Sequence, residues 1–226
     1  LAFISLDEKG ERSFSFFRRE TSEYRLARRH IEAAFVTSAQ VLQVGTNSLV
    51  LHEAREAALA AVGLMRGAGR VVSCDPNVRL HVWPSPDELK HLLRTLVPLC
   101  DVFKMSEEEI SVVSGQRDVE GALKWLAELG VKIAVVTRGP HGAEALWNGQ
   151  RLSVPAPVVE VVDTTGAGDG FQAGFLAGLL RADFWAKPSG EALRGALELG
   201  CRVGSLAVQR LGAIDGLPYE KSLQGD

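Results

Sequence analysis

The spacing of apolar residues changes period several times along the chain. At the start it is two: Leu1–Leu6 and Arg12–Arg18 read as strands, with Ser13-Phe14-Ser15-Phe16 alternating cleanly. Asp7-Glu8-Lys9-Gly10 between them has the composition of a tight turn, so an antiparallel hairpin is predicted. Helical and strand-like segments then alternate. Val41–Gly45 reads as a strand, and a helix follows from about His52 to Arg66 with Ala54, Ala58, Ala61, Val62 and Met65 on one side. Val71–Asp75 is the next strand. Ser85-Pro86-Asp87-Glu88 is a helix start, with Ser as N-cap, Pro at the first position and Glu three residues after the cap. Leu89, Leu92, Leu93 and Leu96 supply its apolar stripe. Val102–Met105 is a short strand, Asp118–Leu129 a helix ending at Gly130, and Val131–Val136 the strongest strand of all.

Strands separated by helices of ~10–15 residues imply βαβ units and a mostly parallel sheet. The fold class is α/β, and ligands of such sheets sit at the carboxyl ends of the strands. Chemistry is therefore sought just after Gly45, Asp75, Lys104 and Val136. With 226 residues, one α/β domain with a sizeable core is expected.

A net charge of −3 offers no general basic field for nucleic acid. Cys74, Cys100 and Cys201 are too few and too scattered for a disulfide framework or a zinc site, and they fit reduced thiols in a cytoplasmic protein. No apolar run reaches the ~18–20 residues that span a bilayer, so no membrane partner is expected.

The most informative stretch is Asp163-Thr164-Thr165-Gly166-Ala167-Gly168-Asp169-Gly170-Phe171. A β-like run, Pro157–Val162, leads into it, and a helix with Ala173, Gly174, Leu176, Ala177 and Leu180 leads out. Three small residues opening a helix leave backbone N–H groups bare, and with the helix dipole they form an anion hole. Asp169, in or beside the first turn, could take the proton of an attacking hydroxyl. Gly-Ala-Gly could equally be a tight strand-to-helix turn, with Asp169 an ordinary first-turn acid.

This segment closely resembles the C-terminal signature of the ribokinase-like (PfkB) carbohydrate kinases, and other motifs agree with it. Thr137-Arg138-Gly139-Pro140-His141-Gly142 resembles the family's T-x-G-x-x-G nucleotide loop. Asp75-Pro76-Asn77-Val78-Arg79 with Trp83 resembles the D-P-N-x-R…W element of its fructokinase and 2-keto-3-deoxygluconate kinase branches. Gly212-Ala213…Gly216-Leu217-Pro218 resembles its closing G-A…G-x-P.

The resemblance implies a ribokinase-like sheet with a small β lid, here residues 1–25, beside a nucleotide-binding and catalytic domain over 26–226. It implies that Asp169 is the catalytic base and that Gly166, Ala167 and Gly168 form the anion hole. Thr137, Gly139 and Gly142 are then nucleotide-binding, although both glycines would also serve a hairpin leading into Glu144–Trp147. Arg79, Asn77 and Arg18 are implied in substrate binding, with a surface ion pair as the other reading of Arg79. Phe17 stands where relatives carry Tyr, so a hydroxyl is lost. Glu109 is implied to place Mg²⁺ through water, in an N-x-x-E element whose first residue is Ser106 here. Ser106 and Glu109 also spell a capping box. Asp163 and Thr165 match positions near a monovalent-cation site, possible for K⁺, and are equally suited to stabilising a turn.

Family members carry an N-terminal portion before the hairpin, with a Gly-rich sugar-binding element and an acidic sugar ligand that this sequence lacks. A fragment of a longer protein is the expectation. The activity implied is transfer of the γ-phosphoryl group of ATP to a sugar hydroxyl, with fructose first. A 2-keto-3-deoxygluconate kinase and a nucleoside kinase are rivals, and a non-catalytic nucleotide- or sugar-binding module is the reading from another class. Lids of this kind pair between subunits, which implies a homodimer.

Overall fold

The computed structural model describes residues 2–6, 12–16 and 21–223. Strands β1 (Ala2–Leu6) and β2 (Arg12–Phe16) pair antiparallel, Ala2 opposite Phe16 and Leu6 opposite Arg12, as the alternating pattern predicts. The turn predicted at Asp7–Gly10 lies outside the described residues, as do Phe17 and Arg18. The chain continues through α1 (Ser22–Arg25), α2 (Ala33–Ser38), β3 (Val41–Val44), α3 (His52–Gly67), β4 (Val71–Cys74), α4 (Pro86–Leu96) and β5 (Val102–Ser106). Then come α5 (Ile110–Val113), α6 (Val119–Glu128), β6 (Ile133–Thr137), β7 (Ala143–Trp147), β8 (Gln150–Val154), α7 (Ala167–Arg181) and α8 (Gly190–Ala207).

A six-stranded sheet runs β3-β4-β5-β6-β7-β8. The first four strands are parallel, and β7 and β8 extend the edge antiparallel. Side chains of a strand alternate between faces, and β5 and β6 show the consequence. Phe103, Met105, Ala134 and Val136 join one core with Val62 of α3, Leu89 and Leu93 of α4 and Leu123 of α6. Val102, Ile133 and Val135 join a second core with Phe171 and Phe175 of α7 and Leu197 of α8. Helices thus cover both faces, which is why the parallel strands are mostly apolar.

The helix ends follow their sequence signals. Ser85 Oγ accepts from the Glu88 amide at 3.3 Å, and Asp118 Oδ1 accepts from the Gly121 amide at 2.7 Å. A buried polar contact registers α7 on the sheet, where Gln172 Nε2 donates to Gln43 Oε1 at 2.9 Å and Ser73 Oγ at 2.7 Å. The three cysteines are free thiols and buried. Among the described residues no helix is long and apolar enough to cross a membrane.

One expected strand is absent. Pro157–Val162 is irregular, with Val158, Val161 and Val162 exposed. It lies beyond edge strand β8 and finds no ladder partner; instead the amides of Val162 and Asp163 both donate to the Val208 carbonyl. β6 also starts two residues later than predicted, at Ile133, since the Lys132 and Ile133 amides are turned to the Asp101 carbonyl.

Phe175 is fully buried on α7 and stacks on Phe171 at a centroid distance of 5.9 Å. Phe175→Ala is expected to cost about 3–5 kcal/mol, read as a lower urea midpoint with an unchanged m-value.

Candidate active site

Because β3, β4, β5 and β6 are parallel, the segments leaving Val44, Cys74, Ser106 and Thr137 emerge at one edge of the sheet. The turn after β4 is built on Asp75. Its Oδ1 accepts the Asn77 amide at 3.1 Å, which holds Asn77 at φ 44°, a left-handed conformation that Asn tolerates. Its Oδ2 accepts from Lys104 Nζ at 2.7 Å, an ion pair with both residues buried (6% and 4% exposed). Thr46, after β3, donates its amide and hydroxyl to the Pro76 carbonyl. Glu109 spans the gap from the other side, with Oε1 accepting the Val78 amide at 2.5 Å and Oε2 the Ser106 amide at 2.8 Å. Burial raises the pKa of Glu109, with the Asp75 charge adding and these amide bonds opposing. The Ser106 amide bond is one half of the predicted capping box. Arg79 is half-buried and donates from Nη1 to the Val78 carbonyl at 3.0 Å.

Helix α7 reaches the same edge. Gly166, its N-cap, has φ 82°, and a Cβ there would lie 2.9 Å from the Ala213 carbonyl oxygen, so only glycine fits. The Ala167 amide donates to the Thr164 carbonyl at 3.2 Å. Among the described residues no acceptor is found for the amides of Gly166, Gly168 and Asp169. The unpaired donors are therefore shifted from the predicted set: Ala167 shapes the turn, and the Asp169 amide joins the exposed ones. The Asp169 side chain is solvent-accessible, yet partial burial of its carboxyl raises its pKa and Asp75 adds to this, while Lys104 and Arg79 oppose it. These four side chains share one electrostatic environment.

The loop before α7 is clamped to the loop after α8. Asp163 is buried; its Oδ1 accepts the Thr165 amide and its Oδ2 the Gly212 amide, each at 2.8 Å. Both closing motifs of the sequence thus meet in one contact.

Thr137-Gly142 joins β6 to β7 as a hairpin, with Thr137 opposite Ala143 and the Arg138 amide donating to the Gly142 carbonyl at 2.8 Å. Gly139 and Gly142 both have positive φ, 52° and 90°, and a Cβ on Gly142 would fall 2.0 Å from the Val154 carbonyl oxygen. The hairpin reading of these glycines is thus met, at the carboxyl edge where the nucleotide reading also puts them. Buried Glu144 fixes the loop by accepting from Arg138 Nη1 at 2.8 Å and Arg151 Nε at 2.6 Å.

The structure thus brings Asp169, Gly166, Gly168, Asn77, Arg79 and Glu109 to one edge. No group of three or more His, Cys, Asp or Glu able to hold a metal ion is found among the described residues. Reading the sequence missed the Lys104–Asp75 pair. The signal was a lysine inside the apolar run Val102-Phe103-Lys104-Met105, since a charge in a strand covered on both faces needs a partner.

Fold and site together define a parallel α/β protein with a helix N-terminus open to an anion, a carboxylate beside it and strand-end loops around both. The chain belongs to the pfkB family carbohydrate kinases, matching that family over residues 1–220. It is 36% identical over 222 residues to the fructokinase of Klebsiella pneumoniae, covering 98% of this chain and 71% of that protein. The probable fructokinase-6 of Arabidopsis thaliana is 33% identical over 225 residues, and the chain spans 58% of its length. Among solved structures, the fructokinase of Vibrio cholerae O395 in fructose, ADP and calcium ion bound form superposes with a TM-score of 0.85 at 32% identity, over 98% of this chain and 71% of that one. A double mutant of it is known in fructose, ADP and potassium ion bound form. The aminoimidazole riboside kinase of Salmonella enterica, complexed with aminoimidazole riboside and an ATP analog, gives 0.81 at 29% identity, over 93% and 69%.

Asp163→Ala removes the acceptor of two partly buried backbone amides. A loss of about 2–4 kcal/mol is expected, since bonds to a charged group are worth about 1.5–3 kcal/mol each and the vacated space recovers part. Faster amide exchange at Thr165 and Gly212 than at β5 or β6 would locate the loss.

Proposed function

We propose that this chain carries the catalytic part of a kinase that transfers the γ-phosphoryl group of ATP to a sugar hydroxyl, with fructose the first acceptor. One observation carries the reading: a carboxylate of raised pKa stands on the first turn of α7, beside backbone amides that find no acceptor among the described residues. A helix N-terminus with free amides suits a phosphate, and a neighbouring carboxylate suits deprotonation of the hydroxyl that attacks it. The fructokinase relatives support the choice of acceptor.

In this reading ATP supplies the phosphoryl group, and the chain's residues position it and move one proton. The carboxylate of Asp169 takes the hydroxyl proton as the sugar oxygen bonds to phosphorus. The bond from phosphorus to the bridging oxygen breaks, and its electron pair leaves on ADP. The amides of Gly166, Gly168 and Asp169 meet the charge on the transferred group, with Ala167 holding their turn. Thr137, Gly139 and Gly142 would border the nucleotide, and Arg79 and Asn77 the phosphoryl group or sugar, joined by Arg18. Magnesium, when bound, neutralises phosphate charge. Glu109 would reach it through water, since each of its oxygens keeps a lone pair beyond its amide bond. Asp163 and Thr165 would border a monovalent cation on the same terms. A homodimer paired through the β1–β2 ribbon and a cytoplasmic location complete the proposal. The first has support in a ribbon that pairs with no third strand among the described residues, the second in three free thiols.

The test is phosphoryl transfer from Mg-ATP to fructose, 2-keto-3-deoxygluconate, ribose and adenosine, with any sequence encoded upstream of Leu1 included. Turnover with fructose is expected. Turnover on adenosine instead would favour a nucleoside acceptor, as in the riboside kinase relative. ATP binding with no acceptor phosphorylated would favour a binding module. Asp169→Ala should lower kcat about 10²–10⁴-fold and leave ATP affinity nearly unchanged; a variant with wild-type turnover would remove Asp169 from the mechanism.

The pH profile gives a second check. A base must be ionised to act, so kcat/KM should fall as pH drops through the Asp169 pKa. Burial and Asp75 raise that pKa, and the acid limb is expected above the ordinary aspartate value. Asp169→Asn should abolish the limb along with the activity.

A further inference from the structure

We propose that Lys104 is a further catalytic residue, its ammonium donating to the transferred phosphoryl group at the N-terminus of α7, and that Asp75 is the positioning residue that holds it there. The inference rests on the kinase reading above and adds to it a cation from β5.

The geometry comes first. A Cβ built on Gly168 would lie 3.1 Å from Lys104 Nζ, so the ammonium sits against the helix terminus and glycine leaves the space between them open. An ammonium has three N–H donors. Asp75 takes one at 2.7 Å and is the acceptor found among the described residues. Further N–H groups therefore stand beside the amides of Gly166, Gly168 and Asp169, for which no acceptor is found among the described residues either. Backbone donors and a cation at one helix terminus form a donor set for an anion carrying more than one negative charge.

The energetics agree. Lys104 is 4% exposed within Val102-Phe103-Lys104-Met105, where its neighbours are fully buried apolar residues. Burying an ion pair costs desolvation that apolar side chains of similar volume avoid, so the strand by itself does not call for a lysine. Asp75 supplies the countercharge, and its other oxygen is held by the Asn77 amide at 3.1 Å, which fixes the carboxylate and with it the ammonium. The single proton moved in the reaction goes from the sugar hydroxyl to Asp169, and Lys104 takes no part in that transfer. Charge near Asp169 follows the same layout, with Asp75 raising its pKa and Lys104 and Arg79 lowering it.

Lys104→Gln keeps a donor for Asp75 and removes the charge. In this variant kcat should fall about 10²–10³-fold, the effect of deleting one donor to a developing negative charge, with the KM for sugar little changed. A non-hydrolysable ATP analogue should bind more weakly while ADP binds as before. The acid limb of the kcat/KM profile should move up in Lys104→Gln and down in Asp75→Asn, because each charge acts on Asp169; the selective loss of the ATP analogue over ADP is the readout that a merely structural ion pair does not produce. Should either single variant melt early, Asp75→Asn combined with Lys104→Gln restores a neutral pair and should keep the kcat loss. Wild-type turnover in Lys104→Gln, or equal loss of ADP and the analogue, overturns the proposal. If the wild-type protein phosphorylates no acceptor, the kinase reading fails, and the comparison of ADP with the analogue still decides the placement of Lys104.

Discussion

Burial of the Asp75 carboxylate constrains the whole carboxyl edge of the sheet. A charge with so little access to water needs an opposite charge and donors in fixed places. Lys104 supplies the first and the Asn77 amide the second. These two contacts tie β4 to β5 and set the turn through Pro76 and Asn77. Thr46 then fastens β3 to that turn through the Pro76 carbonyl, and Glu109 fastens β5 to it through the Val78 amide. Three parallel strands thus end in one connected polar assembly. Helix α7 arrives against it with no side chain on Gly168, and so without displacing the ammonium.

Much of this frame was legible in the residues. The leucine stripe of Leu89, Leu92, Leu93 and Leu96 marks a helix laid on a sheet, and all four are buried there. Ser85 and Asp118 announce helix starts because a short polar side chain can reach an amide two or three residues on. The Gly-Ala-Gly turn announces a helix opening for the opposite reason, having little side chain to fill the space. Pro157–Val162 misled because valine favours strands only where a neighbouring strand is present to pair with. Whether one lies alongside is a tertiary fact, and here β8 is already the edge.

The site was less legible than the frame for a related reason. Sequence motifs mark which backbone is special, but not which donors stay unpaired. Ala167 is consumed by the Thr164 carbonyl, and the Asp169 amide is left open in its stead. Asp163 likewise reads as a turn residue or a cation ligand. Its contact with the Gly212 amide crosses forty-nine positions of sequence, a separation at which local pattern carries no information.

These constraints also bear on why Asp169 suits a base. A carboxylate at a helix N-terminus is ordinarily stabilised as an anion, which would make it a poor proton acceptor. Here partial burial and the nearby Asp75 charge act against that stabilisation, while Lys104 and Arg79 restore part of it. The balance leaves the group easier to protonate than an exposed aspartate, the direction that suits a general base. Asp75 enters twice, raising the proton affinity of Asp169 directly and holding the cation that limits the rise. The buried pair therefore sets the geometry of the carboxyl edge and the proton affinity of the group that works there.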